Sequence, residues 1–351
     1  MDKEDKFRHL EHGLSSKIEV DHQQFLYFGG TAYLSIPQHK KFISLFIEGI
    51  DKYGLNNGTS RGNNIQLGIY EEVEQYAASK YNVEAALITS SGYLAAKLTI
   101  AALANEGEIR YAPDTHPALW GPEKPVVLES SFDDWAVNTV KEINESSSNK
   151  WVLISNSMNN LFPKSYDFSF IDQIEKNKKI ILIIDDSHGI GILNKGKSVL
   201  PSIPKLPQVE IVVVASMAKA LGVDAGIVFG SKCIIENLKQ RNEFNGASPS
   251  SAAGLYAFMH AEHIYKEEYH RLQKNIDFFA NKIDLGEDWC YEPGFPVFLY
   301  RNEGLATKLL PHHILISSFP YPDKNGRIID RIVLSSWHSK ADLSHLIKAL
   351  N

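Results

Sequence analysis

A chain of 351 residues, with 36 Lys and Arg against 42 Asp and Glu, has length for roughly two domains and ample material for a buried core. Its charges of both signs are dispersed, which leaves no basic face for nucleic acid and no polybasic membrane patch, so small molecules are the expected partners. The two cysteines, Cys233 and Cys290, stand far apart and suggest neither a disulfide framework nor a zinc site. No apolar stretch approaches the roughly 18 to 20 residues that span a bilayer. The charged start, Met1 to Gly13, lacks the apolar centre of a signal peptide, so the expected setting is the cytoplasm.

In chain order, Lys41 to Tyr53 and Ile69 to Lys80 carry helical periodicity. Ala85 to Thr89 reads as a short buried strand, and Tyr93 to Ala104 as a helix rich in small residues, so the segment is a strand, turn, helix unit. Apolar runs follow at Val126 to Leu128, Trp151 to Ser155, Ile180 to Ile184, Ile211 to Ala215 and Gly226 to Gly230, several separated by helical patterns such as Phe168 to Lys176. Runs apolar on both faces that alternate with helices predict a mainly parallel sheet covered on both sides. Between Ala215 and Gly226 there is little room for a crossover helix, so the Gly226 strand is expected to run antiparallel. Beyond it come a helix at Cys233 to Arg241, a break at Asn245 to Pro249 and a long helical stretch from Ser250 to about Ile283. Strands near Val297 to Tyr300, Ile314 to Ser318 and Ile328 to Ser335, with helices near Leu305 to Leu310 and Ala341 to Leu350, complete a smaller C-terminal α/β domain. The expected division is an N-terminal arm over 1–40, a large domain over 41–243, and a connecting helix with the small domain over 244–351.

Three residues fall just past strand ends. Asp185 closes the run Ile180 to Ile184, His188 follows three residues on, and Lys219 lies in Ser216-Met217-Ala218-Lys219-Ala220-Leu221-Gly222. A carboxylate, an imidazole and a lysine so delivered are the parts that hold pyridoxal 5'-phosphate. The amine forms a Schiff base with the cofactor aldehyde, and a carboxylate beside the ring nitrogen keeps that nitrogen protonated. His188 is placed to bond the phenolic oxygen, and His116, in Asp114-Thr115-His116-Pro117, is the candidate cover for the ring. The phosphate needs backbone donors at a helix start, which Ser90-Ser91-Gly92-Tyr93 supplies, with Gly92 allowing close approach and Ser216 adding a hydroxyl. Each of these has a plainer reading alone: a surface lysine, a turn aspartate, a structural histidine, a common helix entry. Their joint order at strand ends is what points to the cofactor.

A sharper-looking motif fails. Gly191-Ile192-Leu193-Asn194-Lys195-Gly196-Lys197-Ser198 fits the phosphate-loop pattern letter for letter. That loop must leave a strand directly and open a helix, whereas Ser198 runs into Val199-Leu200-Pro201-Ser202-Ile203-Pro204 and the strand ends early, at Asp185.

The stretches Ile183 to Gly191, Ser216 to Gly222 and Gly226 to Ser231 resemble the α-oxoamine synthases, pyridoxal-phosphate enzymes of the aspartate aminotransferase superfamily. The resemblance runs from about Tyr27 to the end and takes in Tyr53-Gly54 through Gly62, Ser91-Gly92-Tyr93, Thr115-His116 and Ile332-Val333-Leu334-Ser335. It implies an aminotransferase-like α/β fold, with a mainly parallel seven-stranded sheet flanked by helices in the large domain. By the same resemblance Lys219 is the Schiff-base lysine, Asp185 pairs with the ring nitrogen, His116 stacks on the ring, His188 sits near the phenolic oxygen and Ser216 contacts the phosphate. Ser248 would reach the cofactor phosphate of a neighbouring subunit, and Arg331 would grip an amino acid carboxylate, for which a bidentate guanidinium is well shaped. A homodimer with its active sites at the subunit boundary is implied, acting on an amino acid and an acyl-CoA.

The chain departs from the family near the substrate. Gly29-Gly30-Thr31-Ala32-Tyr33 stands where an asparagine pair is usual, Asn63-Asn64-Ile65-Gln66 where a Gly-Thr-His stretch is, and Ser317-Ser318-Phe319-Pro320 where Arg-Pro-Pro is common. Asn160 or a neighbour replaces a cofactor-contacting serine. The leading expectation is an amino acid C-acyltransferase. An aminotransferase or other aldimine enzyme using Lys219 and Arg331, or a catalytically silent cofactor-binding subunit, are the alternatives.

Overall fold

The computed structural model describes residues 7–159, 161–321 and 325–351, so Asn160 lies outside the described residues. The chain divides into two compact units. One holds Ser44–Asn159 and Ser165–Glu262; the other holds Met1–Ile43, Asn160–Lys164 and His263–Asn351.

The larger unit is built on a six-stranded sheet in the order Ala85–Thr89, Gly226–Gly230, Val209–Ser216, Lys179–Asp185, Lys150–Asn156, Glu108–Tyr111. The last four are mutually parallel, and Gly226–Gly230 is antiparallel to both of its neighbours. This direction follows from the short chain between Ser216 and Gly226, which turns back without a crossover helix. The five remaining strands therefore all end on one edge of the sheet, at Thr89, Ser216, Asp185, Asn156 and Tyr111.

Among the described residues the sheet has six strands, not the seven expected. The run Val126 to Leu128 is not one of them: it follows Pro125, and Val126 and Leu128 are 87% and 88% exposed. The edge is instead Glu108–Tyr111, whose sequence Glu-Ile-Arg-Tyr hides it from a search for apolar runs. An edge strand tolerates charge on its open side, and Arg110 there is paired with Glu129 at 2.8 Å and Glu142 at 3.2 Å. The stretch Phe168 to Lys176 also differs, forming a 3-10 turn over Phe168–Gln173 entered from Asp167, whose carboxylate accepts from Ser169 N at 2.9 Å.

Helix Gly92–Leu103 packs its Ala95, Ala96, Leu98 and Leu103 against Val152, Ile154, Val212, Val214 and Val228 of the sheet in one buried cluster. Each fully buried Val, Leu or Ile side chain contributes roughly 1.5–3 kcal/mol relative to exposure. The long helical stretch expected from Ser250 is two helices, Ala252–His260 and Glu262–Ala280, interrupted at Ala261. The phosphate-loop look-alike forms only a single turn at Leu193–Gly196, in which Asn194 and Lys195 are left-handed, and after Ser198 comes one 3-10 turn at Leu200–Ser202 rather than an α-helix.

The smaller unit carries its own six-stranded sheet, in the order Lys17–Val20, Gln23–Phe28, Ile314–Tyr321, Arg327–Val333, Val297–Tyr300, Trp289–Tyr291. His338 is 3% exposed in this unit. Its Nδ1 accepts from Ser335 N at 2.9 Å, its Nε2 lies 2.9 Å from the Tyr27 carbonyl, and its ring stacks on Phe28. One nitrogen accepts and the other donates, which is the neutral imidazole. Burial pushes its pKa down to about 4. The unfolded chain takes up this proton below about 6.5, whereas the folded chain resists until about 4, so stability is full above 6.5 and is lost as pH falls through that window. The loss expected is about 3 kcal/mol. Urea unfolding at pH 7 and pH 4.5 should show a larger drop for the wild type than for His338→Gln, and equal drops would remove His338 as the cause.

Candidate active site

The five aligned strand ends explain how residues distant in sequence meet. The first end, at Thr89, passes into Ser91, an N-cap with φ −162° and ψ 157° whose Oγ accepts from Leu94 N at 3.1 Å. With that hydroxyl engaged, the backbone N–H groups of Gly92 and Tyr93 are the donors left at the helix start. A Cβ on Gly92 would stand 2.6 Å from Ser216 Cα, so only glycine lets the helix start close against the Ser216 strand end. Gly226 is equally constrained, since its Cβ would meet the Ser91 carbonyl oxygen at 2.1 Å. Tyr93 itself is 60% exposed, with the Lys97 ammonium 5.6 Å from its ring centre.

Asp185 closes its strand, and its Oδ1 accepts from Ser187 N at 2.8 Å. Ser187 Oγ in turn accepts from Ser216 N at 2.8 Å. His188 lies in the same turn, half-buried. Lys219, in the loop after Ser216, is also half-buried. Burial pushes its amine below the ordinary lysine range, and the nearby Asp185 carboxylate opposes that shift. His116 keeps an exposed face, yet the protein crowded around the rest of the ring holds its pKa below the usual value; Asp185 works against this, and Lys219 and Lys97 add to it. Asp185, Lys219 and His116 thus lie within reach of one another's charge. Asp186, fully buried, accepts from Val199 N at 2.9 Å and so closes the excursion between 186 and 199, and burial raises its carboxyl to about 7.

One residue that the sequence reading passed over positions His116. Asn156, 7% exposed at the end of its strand and beside Asp185 in the sheet register, accepts from His116 N at 3.1 Å and donates to the Asp114 carbonyl at 2.7 Å. The available signal was a polar residue closing an otherwise apolar strand, as Asp185 does. Ser248 is exposed in the loop between helices Asn242–Asn245 and Ala252–His260. The loop is tied to the Thr89 end through Ser250, whose Oγ donates to the Thr89 carbonyl at 3.2 Å.

Arg331 belongs to the smaller unit. It is 9% exposed on strand Arg327–Val333, between Leu299 and Ser317 in register, with its guanidinium 5.0 Å from the Phe319 ring centre. Burial lowers its pKa and the neighbouring Tyr33 partly compensates. Ser317 and Tyr33 come from the stretches where the sequence departs from the family, and Ser317 Oγ accepts from Gly30 N at 3.2 Å.

The larger unit's residues fit pyridoxal phosphate. A depressed-pKa amine, a carboxylate and an imidazole converge, and a helix start with free N–H groups sits against the serine-bearing strand end. Among the described residues no cluster of His, Cys, Asp and Glu is arranged to hold a metal ion.

Comparison with known proteins agrees. The aminotransferase class I and II family model matches residues 125–350, more than half of the chain. An 8-amino-7-oxononanoate synthase of Petrotoga mobilis is 25% identical over 354 residues, covering 96% of this chain and 90% of its own. A putative 8-amino-7-oxononanoate synthase of Methanococcus aeolicus is 28% identical over 365 residues, with 99% and 94% covered. Among solved structures, a serine palmitoyltransferase from S. paucimobilis with a bound PLP–myriocin aldimine aligns with a TM-score of 0.81 at 14% identity, over 97% of this chain and 90% of that one. An 8-amino-7-oxononanoate synthase from Francisella tularensis aligns at 0.69 and 19% identity, over 93% and 96%. These structural likenesses carry the fold. The family match therefore shows that the chain belongs to the aminotransferase class I and II family, within which it stands beside the α-oxoamine synthases.

Proposed function

We propose that this protein is a pyridoxal-phosphate-dependent acyltransferase that joins an amino acid to an acyl thioester, releasing the thiol. The observation that carries the reading is the convergence of Lys219, Asp185 and His116 at the strand ends beside the Gly92 helix start. Full-length relatives that bear the name 8-amino-7-oxononanoate synthase support the acyl-transfer class.

Pyridoxal phosphate, when bound, supplies an aldehyde for an amine and an electron sink for charge developing at an amino acid Cα. Lys219 Nζ would hold it, and burial keeps that amine less basic and therefore more available as a nucleophile and proton acceptor. Asp185 would face the ring nitrogen, His116 its plane and His188 the phenolic oxygen. The Gly92 and Tyr93 N–H groups, with Ser216, would take the phosphate. Arg331 would orient the amino acid through its carboxylate, and its near-complete burial strengthens a charge-assisted pair.

The same reading includes a homodimer in the cytoplasm, with Ser248 reaching the cofactor phosphate of the second subunit. No helix among the described residues is long and apolar enough to cross a membrane.

Titration with glycine, alanine and serine should change the visible absorbance of the cofactor-loaded protein, and an acyl-CoA panel should then release free thiol. Arg331→Ala should weaken the amino acid response by roughly 1.5–3 kcal/mol, the range for a hydrogen bond to a charged group. A keto acid formed with no thioester consumed would replace this reading with aminotransfer.

A further inference from the structure

The strand ladder between Lys179–Asp185 and Val209–Ser216 stops at the pair Asp185 and Val214, leaving Ser216 two residues beyond it. On its other side Ser216 pairs with Gly226, and the next amide, Met217 N, donates to the Ala225 carbonyl. Amides along a strand alternate in direction, so Ser216 N faces back towards the Asp185 strand, where no ladder carbonyl remains. The Ser187 hydroxyl fills that place, accepting at 2.8 Å, and Ser187 is only 8% exposed. Ser187 N donates meanwhile to Asp185 Oδ1 at 2.8 Å. One residue therefore clamps the carboxylate at one strand end to the backbone of the next.

We propose that Ser187 is a positioning residue for the phosphate side of the cofactor site, acting through its hydroxyl on the strand end that carries Ser216. The proposal rests on the cofactor reading given above. Removing the hydroxyl leaves a buried N–H without its acceptor and frees the strand end against which a Cβ on Gly92 would clash. The Asp185 bond comes from Ser187 backbone and survives the change. The consequence is directional: phosphate binding weakens while the ring side keeps its partners.

The test compares pyridoxal phosphate with pyridoxal, which lacks the phosphate, on full-length protein freed of cofactor. Ser187→Ala should raise the Kd for pyridoxal phosphate about tenfold and leave that for pyridoxal within about twofold, a loss of the order expected for one orphaned buried amide. Ser187→Thr, which keeps the hydroxyl, should stay within about threefold of wild type for both ligands. Should the alanine variant fold poorly, Ser187→Cys, with a weaker acceptor of similar size, carries the same directional expectation. Equal weakening for both ligands, or an unchanged Kd for pyridoxal phosphate, overturns the positioning role. A wild type that binds neither ligand sinks the cofactor reading itself, a result the two-ligand comparison separates from the first.

Discussion

Lys219→Ala is expected to leave a folded protein that no longer retains pyridoxal phosphate after borohydride reduction and dialysis, whereas the wild type stays labelled. The side chain is only half-buried and sits in a loop rather than a strand, so its loss removes little packing. Its amine bears on both Asp185 and His116 and can form a covalent bond to an aldehyde. Thiol release from amino acid and acyl-CoA should fall by about a thousandfold, within the range seen when a positioned proton acceptor is removed. A variant that remains labelled would place the covalent link on another amine.

Asp185→Asn should be nearly as costly to chemistry and cheap for the fold. The amide oxygen can still accept from Ser187 N, so the clamp to the neighbouring strand persists. What disappears is a negative charge that bears on both Lys219 and His116. A neutral amide does not favour a protonated ring nitrogen, and without that proton the ring is a poor sink for charge at the substrate Cα. The rate should drop about 10² to 10³-fold, as when one preorganised electrostatic group is lost, with cofactor affinity changed far less. Because the carboxylate raises the pKa of both neighbours, the amine and the imidazole should each lose protons at lower pH in the variant. NMR titration of His116 reads this directly; an unshifted midpoint would mean that Asp185 does not face it.

Much of this was legible in the residues. The buried strands at Ile180, Ile211 and Gly226 announce themselves because they are apolar on both faces, and the short return between Ser216 and Gly226 leaves a single direction for the last of them. Asp185 was visible as a polar residue ending such a run, and Lys219 as one just past the end of another. Edge elements were not. Glu108–Tyr111 pairs on one side only and so carries no apolar signature, while Val126 to Leu128 carries that signature but lies in open chain after a proline. Local periodicity also overreached at Ala261, where the backbone breaks a pattern that reads as continuous. Asn156 and Ser187 escaped notice because an asparagine or a serine gains meaning only from what stands across from it.

By itself the sequence determined the cofactor chemistry and the order of its parts, since strand, carboxylate and amine follow one another along the chain where their spacing can be read. Only the tertiary structure decided how those parts are held: that five strands end on one edge, that Gly92 abuts Ser216 with no room for a side chain, and that Ser187 and Asn156 tie the ends together. The reason is physical. Periodicity records which face of an element leaves water, whereas a hydrogen bond between residues 29 or 40 positions apart exists only once the sheet has set their register.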